Sequence, residues 1–264
     1  MYGNFKKLSL DAFSLKMIAI VSMGVQHTVM ILWEIFPIWV HIPLCVLRGI
    51  TFPIMAFFVV EGFKRTSNIK KYMGRLFLFG LIAQIPHNLA FGFFTLNIIF
   101  TIFLGLVCLM MYDSLYVKKQ KRGLFIALFI LILLVSNITE GAMFGLILIF
   151  LFHVVKNEKK RRTLPLIYWG CFTIILSFFF RTLATVFPID MADMSRAMQL
   201  ETILMQYYVF PIGSFVIIPL LRAYNGERGK RAKYLFYAFY PLHFVILAVI
   251  AHLLGLNYLN LGLF

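Results

Sequence analysis

The chain has 264 residues, of which 62% are hydrophobic and only 13% are charged, about half the charged share of an ordinary soluble protein. A soluble domain could not cover that much apolar surface, and the same composition excludes a disordered chain. The net charge of +15 could suit a nucleic-acid-binding protein, but the apolar composition makes that class a poor fit, and no nucleic-acid partner is expected. The composition predicts an all-α, polytopic transmembrane helical bundle.

Nine segments are candidate transmembrane helices, because crossing the hydrocarbon core takes about 20 apolar residues. The fifth and sixth are short, so they could form a tight hairpin or fail to cross fully. No internal repeat is evident, and we expect one integral membrane domain over residues 1–264. In chain order the segments cover residues 14–36, 43–62, 74–93, 96–116, 123–138, 141–156, 163–187, 203–222 and 233–256.

Basic residues alternate between the connections. All 25 Lys and Arg residues except Arg48, Arg181 and Arg196 lie near the N-terminus or in the second, fourth, sixth and eighth connections. The positive-inside rule therefore predicts nine spans with a cytoplasmic N-terminus and an outside C-terminus. The basic connections can serve orientation and contact with membrane lipid headgroups, or form a cationic mouth for an anionic cofactor.

His27 is an ionisable residue in the middle of the first apolar segment, where such a residue is costly and calls for an explanation. Lys16 precedes it by 11 residues, which on a helix is roughly 16 Å along the axis and nearly the same face. A neutral imidazole at that depth can accept a proton, so His27 is a candidate general base. The alternative is a structural hydrogen bond between helices.

Other polar residues fall at membrane depth in the second and ninth segments. His243 follows Tyr240 by three residues, so the two share a helix face. Glu61 and Arg65 are spaced for a local ion pair, whereas Arg48 has no acid nearby in the sequence and needs a partner from another helix or an anionic ligand. Each of these residues is a candidate for function, with a structural contact as the alternative.

The third and fourth segments carry amides that could wall a polar pocket. Gln84 and Asn88 are four residues apart, and Asn97 opens the next segment. Packing between helices is the alternative for this stripe. Glu140 stands at a predicted helix start, where capping is its default explanation. The histidines and acids lack metal-ligand spacing, so no metal is expected.

Several blocks in this order resemble the TraX family, named for a conjugal-transfer protein that acetylates pilin. The match spans nearly the whole chain. One departure is Gln26, which stands where the family commonly has Asp before the first-span histidine. The blocks are residues 15–19 leading to Met23 and His27, 48–57 and 61–66, 70–76 and 84–88, then Asn97, Thr101 and Gly105, and finally 224–229, 233–237 and 240–243.

The resemblance implies a bacterial cytoplasmic membrane protein related to the acyltransferase-3 enzymes. In that larger group, a basic residue often precedes a first-span histidine at the spacing of Lys16 and His27. Acetyl-CoA would be the acyl donor, entering from the cytoplasm. The acceptor would be an amine or hydroxyl of a peptide, lipid or glycan.

Together these observations predict a membrane-embedded O- or N-acyltransferase. A transporter or flippase using the same polar cavity without chemistry is the alternative. The predicted catalytic residues are His27, Glu61 and His243. The predicted donor-binding residues are Lys16, Lys64, Arg65, Lys71 and Arg75, and the predicted acceptor-binding residues are Arg48, Gln84, Asn88, Asn97 and Tyr240.

Overall fold

The computed structural model of the protein describes residues 8–32, 35–91, 95–186 and 210–255. Within these ranges the regular elements are helices, and each of the nine predicted segments holds one. A π-helical turn, Tyr112–Lys118, continues α4 and is called the π segment. The α-helices are α1 (Ala12–Ile31), α2 (Ile38–Arg65), α3 (Ile69–Phe91), α4 (Ile98–Met111), α5 (Arg122–Ser136), α6 (Ala142–Val154), α7 (Glu158–Arg161), α8 (Leu164–Val186), α9 (Phe210–Arg222) and α10 (Lys233–Leu253).

Three stretches of helix among the described residues are long and apolar enough to cross a membrane. They are Ala12–Val29 in α1, Ile98–Lys118 in α4 with the π segment, and Tyr234–Leu253 in α10. The fifth and sixth predicted segments are short, as expected, with 15 residues in α5 and 13 in α6. At 1.5 Å per residue these helices are roughly 20 Å long, less than the thickness of a hydrocarbon core.

The chain divides into two compact units. The first comprises Met1–Ile54 and Asn157–Arg231, and the second comprises Met55–Lys156 and Ala232–Phe264. Helix α2 contributes its first part to one unit and its last part to the other. The prediction of a single domain over the whole chain stays a prediction.

The first unit ties the start of α1 to the connection after α9. Asp11 caps α1 by accepting the Ser14 backbone N–H at 2.7 Å, and this hydrogen bond lowers the pKa of Asp11 below its ordinary value. The Leu10 backbone N–H donates to the Ala223 carbonyl at 2.9 Å. Gly229 has a φ of +66° and packs its α-carbon against the Asp11 carboxylate, where a β-carbon would collide with it.

The second unit is organised around α4, which packs against α3 and α6, while α10 packs against α3. Gly105 on α4 permits a close approach to α6, because a β-carbon there would lie 2.6 Å from Ile149 Cδ1. Phe57 at the end part of α2 meets Phe152 of α6 edge to face at 5.6 Å between ring centroids, and both side chains are fully buried. These contacts hold the polar groups described next.

Candidate functional site

The predicted amides Gln84, Asn88 and Asn97 come together and form one hydrogen-bonded set, called the amide network. Gln84 Nε2 donates to Asn88 Oδ1 and to the Thr95 carbonyl, the latter at 2.9 Å. Asn97 Nδ2 donates to Gln84 Oε1 at 2.9 Å and to the Gly80 carbonyl at 2.8 Å, while Asn97 Oδ1 caps α4 by accepting the Ile99 N–H at 3.0 Å. The network therefore fastens α3 to the start of α4.

In this network the side-chain N–H groups of Gln84 and Asn97 are already engaged. Both N–H groups of Gln84 and both of Asn97 already donate within the chain. Asn97 is fully buried, so its amide could stabilise an oxyanion only by giving up one of these bonds. The predicted role of these amides in an acceptor pocket stays a prediction, and their described contacts are structural.

Glu140 joins three helices through one carboxylate oxygen. Its Oε2 accepts the Ile98 N–H at the start of α4 at 3.0 Å and the Tyr240 hydroxyl of α10 at 3.2 Å. The same oxygen lies 3.6 Å from Nε2 of His87 on α3, close enough for an ion pair when the imidazole is protonated. We call His87, Glu140 and Tyr240 the Glu140 cluster. The negative carboxylate also suits the positive end of the α4 dipole.

Local pairing of two loops places Glu140 in this position. Leu96 and Thr139 form an isolated parallel bridge, and the Glu140 backbone N–H donates to the Leu96 carbonyl at 2.7 Å. The Thr101 hydroxyl donates to the Thr139 hydroxyl at 2.8 Å and accepts the Gly141 N–H at 3.1 Å. These bonds set the turn before α6 beside the start of α4. Glu140 thus caps α4, a helix that begins 42 residues earlier, rather than only the helix it precedes.

His243 lies beside the Glu140 cluster on α10 and is buried. Its Nδ1 is 3.0 Å from the Phe239 carbonyl, an arrangement in which Nδ1–H donates and Nε2 keeps the basic lone pair. The ring stacks on Phe239 at 5.1 Å and lies 5.6 Å from the Tyr240 ring. The predicted proximity of Tyr240 and His243 is confirmed in the structure.

His27 and Lys16 lie on one continuous helix, α1, in the first unit. His27 is buried with 2% of its surface exposed, and Lys16 is half-buried. The Ala19 carbonyl of α1 accepts a hydrogen bond from the hydroxyl of Thr51 on α2 at 3.4 Å, so a polar contact connects these two helices. Arg48 belongs to α2, but its side chain lies outside the part of the chain that the structure describes.

On the described helices α2 and α3, the predicted cationic residues Arg65 and Arg75 make side-chain contacts. Arg65 Nη2 is 2.7 Å from Glu61 Oε2, so the predicted local ion pair exists. Glu61 is buried there, with 8% of its side chain exposed against 55% for Arg65. The Arg75 guanidinium lies over the Tyr72 ring at 5.9 Å. Lys64 and Lys71 are exposed.

The sequence matches the family described as TraX protein over residues 11–251. This range covers most of both compact units and nearly all of the chain. The chain belongs to the TraX family.

A second comparison matches a curated protein of Dichelobacter nodosus, the probable fimbrial assembly protein FimC of serogroup H1. The two are 34% identical over 135 residues, a stretch that covers 47% of this chain and 55% of the relative. The chain therefore matches only about half the length of this relative. No solved structure matches the chain.

The structure adds two residues to the candidate site of this TraX-family protein. Sequence analysis gave no role to His87, which lies within residues 84–88 of the family resemblance, and it assigned Glu140 to capping. Within the described part of the chain, the two contact each other only because the loops before α4 and α6 pair. The sequence signal for this site was Glu140, a charged residue next to an apolar segment. No rule of helix or strand spacing predicts its contact with His87.

Proposed function

We propose that this TraX-family protein is a membrane-embedded acyltransferase that takes an acyl group, acetyl in the first instance, from acyl-CoA. The observation that carries the proposal is the set of imidazoles His27, His87 and His243, each at most 7% exposed and each on a helix of a strongly apolar chain. Ionisable groups in such surroundings are costly and are retained mainly for function. The family membership favours acyl transfer as that function.

In the proposed reaction, the acceptor amine or hydroxyl attacks the thioester carbonyl carbon. His27 takes the proton that the acceptor loses, the carbon–sulfur bond breaks, and His27 returns that proton to the leaving CoA thiolate. Glu61 and His243 complete the proposed catalytic set. His243 has the tautomer suited to accepting a proton at Nε2, since Nδ1 is engaged with the Phe239 carbonyl.

The donor phosphates are proposed to bind the basic ends of the helices. Lys16, Lys64, Lys71 and Arg75 supply positive charge there, and Arg65 contributes in part because it shares its charge with Glu61. The acceptor is proposed to lie against Arg48, Asn88 and Tyr240, with Gln84 and Asn97 shaping the wall through the amide network rather than by free N–H groups.

The proposed setting is the bacterial cytoplasmic membrane, with nine spans, the N-terminus inside and the C-terminus outside. The alternation of basic connections supports this topology. The acceptor class is a peptide, lipid or glycan. Because the relative in Dichelobacter nodosus is described as a probable fimbrial assembly protein, a fimbrial subunit is the first acceptor to test.

The test is thioester consumption by the purified protein in detergent, with acetyl-CoA and a fimbrial subunit peptide as acceptor. We expect His27→Ala to lower the turnover rate at least about a hundredfold, the usual contribution of a general base. His252→Ala is the matched control, because His252 lies in the exposed last turn of α10 and should keep wild-type turnover.

Equal turnover in the His27→Ala protein would refute the assignment of the base. If the folded wild-type protein neither binds acetyl-CoA nor consumes it, acyl transfer is refuted. Movement of an unmodified substrate across liposomes would then establish the transporter alternative.

A further inference from the structure

A pocket of about 460 Å³ opens in the second unit where the ends of α2 and α6 meet the π segment. Its walls combine aromatic rings, a histidine, a carboxylate and two lysines. We call it the His153 pocket. The residues used in the argument are Phe63, Lys64, Tyr112, Asp113, His153 and Lys156.

The His153 imidazole is held in one orientation. Its Nε2 is 2.9 Å from Asp113 Oδ1, and its ring meets the rings of Phe63 and Tyr112 edge to face at 5.5 and 5.6 Å. Only 9% of the side chain is exposed. Because a carboxylate oxygen faces Nε2, that nitrogen carries a proton and donates to Asp113.

The other imidazole nitrogen of His153 has no hydrogen-bond partner among the described residues, although it is buried. A buried polar atom without a partner is costly and is uncommon in folded proteins. A ligand in the pocket could supply the missing partner. Such a nitrogen accepts a hydrogen bond in a neutral imidazole and donates one in a protonated imidazole.

The π segment is the second unusual feature of this pocket. π-Helical turns are rare, they are less favourable than α-helix, and they occur frequently at functional sites. Here the turn begins at Tyr112 and carries both Tyr112 and Asp113 into the wall of the pocket. An irregular helix end thus supplies both the ring that clamps His153 and the carboxylate that orients it.

The charges of the pocket favour an anion. Lys64 and Lys156 are exposed residues on its wall, and Nδ1 of His153 is a third polar group there, which donates when the imidazole is protonated. A phosphate monoester has three acceptor oxygens and close to two negative charges at neutral pH, which suits two lysines and a third polar group better than a carboxylate does. The rings of Phe63 and Tyr112 offer an apolar surface to the remainder of such a ligand.

We propose that the His153 pocket binds a phosphate monoester attached to an apolar or aromatic group. Nζ of Lys64 and Nζ of Lys156 donate to the phosphate oxygens, Nδ1 of His153 supplies a third hydrogen bond, and Asp113 orients the imidazole. The phosphate can belong to a soluble ester or to an anionic lipid headgroup. The proposal does not require acyl transfer, and it adds Asp113, His153 and Lys156 to the residues considered for ligand binding.

The experiment uses the full chain in phosphatidylcholine nanodiscs, with phenyl phosphate as the probe and isothermal titration calorimetry as the readout. We expect saturable binding, and we expect Lys156→Ala and His153→Gln each to weaken it about tenfold or more, the loss typical of one charge-assisted hydrogen bond. Lys119→Ala is the matched control, because Lys119 is an exposed lysine just past the π segment that does not line the pocket.

Two further arms identify the chemistry and its source. Benzoate should bind at least about tenfold more weakly than phenyl phosphate, because a carboxylate has one negative charge and two oxygens, against close to two charges and three oxygens for the phosphate. In nanodiscs that also contain phosphatidic acid, loss of phenyl phosphate binding assigns the site to a lipid headgroup, and unchanged binding assigns it to a soluble ester. Either result supports a phosphate site.

The proposal is overturned if phenyl phosphate does not bind in phosphatidylcholine discs, if both variants bind it as the wild type does, or if benzoate binds equally well. Lys156→Ala changes a surface residue and should fold normally, so lost binding in that variant cannot be attributed to unfolding. Acetyl-CoA turnover is a separate measurement. Its absence would refute the proposed enzyme and leave the phosphate site standing.

Discussion

The Glu140 cluster and the His153 pocket each pair a histidine with an acid from a distant part of the second unit, yet the two acids differ in the number of groups they contact. In the cluster, one carboxylate oxygen contacts a backbone N–H, a tyrosine hydroxyl and an imidazole within 3.6 Å. In the pocket, the Asp113 carboxylate pairs with the His153 imidazole and is 40% exposed, against 27% for Glu140. An acid that joins three helices should stabilise the fold more than a more exposed acid in a single described pair.

The largest expected effect comes from the amide network beside the Glu140 cluster. Asn97→Ala removes two hydrogen bonds from a fully buried side chain together with the cap of α4. We expect the free energy of unfolding to fall by about 3 kcal/mol, since a lost cap costs about 1 kcal/mol and newly unpaired buried groups cost more. Titration of the protein with sodium dodecyl sulfate in mixed micelles measures this change.

Asn137→Ala is the control for that measurement. Asn137 is exposed, and its Nδ2 donates to the carbonyls of Leu133 and Leu134 in the preceding turn. Its loss should change stability by less than about 0.5 kcal/mol. If the two variants lose the same stability, the amide network does not hold α3 to α4 as described.

A smaller effect is expected when Glu140 loses its charge but keeps its shape. Glu140→Gln retains an oxygen that can accept from Ile98 and Tyr240, and it removes the attraction to His87 and to the start of α4. We expect a loss of about 1 kcal/mol in unfolding free energy, because the side chain is 27% exposed and solvent screens part of its charge.

A double-mutant cycle sharpens this prediction. Tyr240→Phe removes the hydroxyl that donates to Glu140. If the cluster acts as a unit, the two single effects should differ from the double effect by at least about 0.5 kcal/mol. Additive losses would show that Glu140 and Tyr240 stabilise the protein independently.

The smallest effect on stability is expected in the pocket. His153→Leu removes an imidazole whose Nδ1 has no partner among the described residues and whose partner Asp113 is 40% exposed. Leucine fills similar space between Phe63 and Tyr112, so unfolding free energy should change by less than about 0.5 kcal/mol in the same titration. A loss of 2 kcal/mol or more would contradict the contrast between the two regions.

Much of the helical pattern could be predicted because apolar segments and basic connections are local signals. The nine segments hold helices, and the pairs Glu61–Arg65 and Gln84–Asn88, both spaced by four residues, form as spacing predicts. The contacts of Glu140 could not be predicted in the same way. They depend on two loops lying side by side, and neither hydropathy nor periodicity records that pairing.

The π segment also could not be predicted from the sequence. The predicted segment 96–116 includes its first residues, but a change of hydrogen-bond register within a helix has no compositional sign. In the sequence, Asp113 is therefore a single acidic residue before a basic connection, and nothing there indicates its contact with a histidine. Its contact with His153, 40 residues later, depends on where α4 and α6 end relative to each other.

The hydrogen bonds between the start of α1 and the connection after α9 affect the order in which parts of the protein reach their final structure during synthesis. Asn225 Nδ2 donates to Ser9 Oγ at 3.2 Å across 216 residues of chain, next to the pairing of Leu10 with Ala223. At a translation rate of 5–20 residues per second, the ribosome reaches Asn225 roughly 10–40 s after Ser9. Throughout that interval α1 exists without its final anchor, so the first helix made is among the last to be fixed at its N-terminal end.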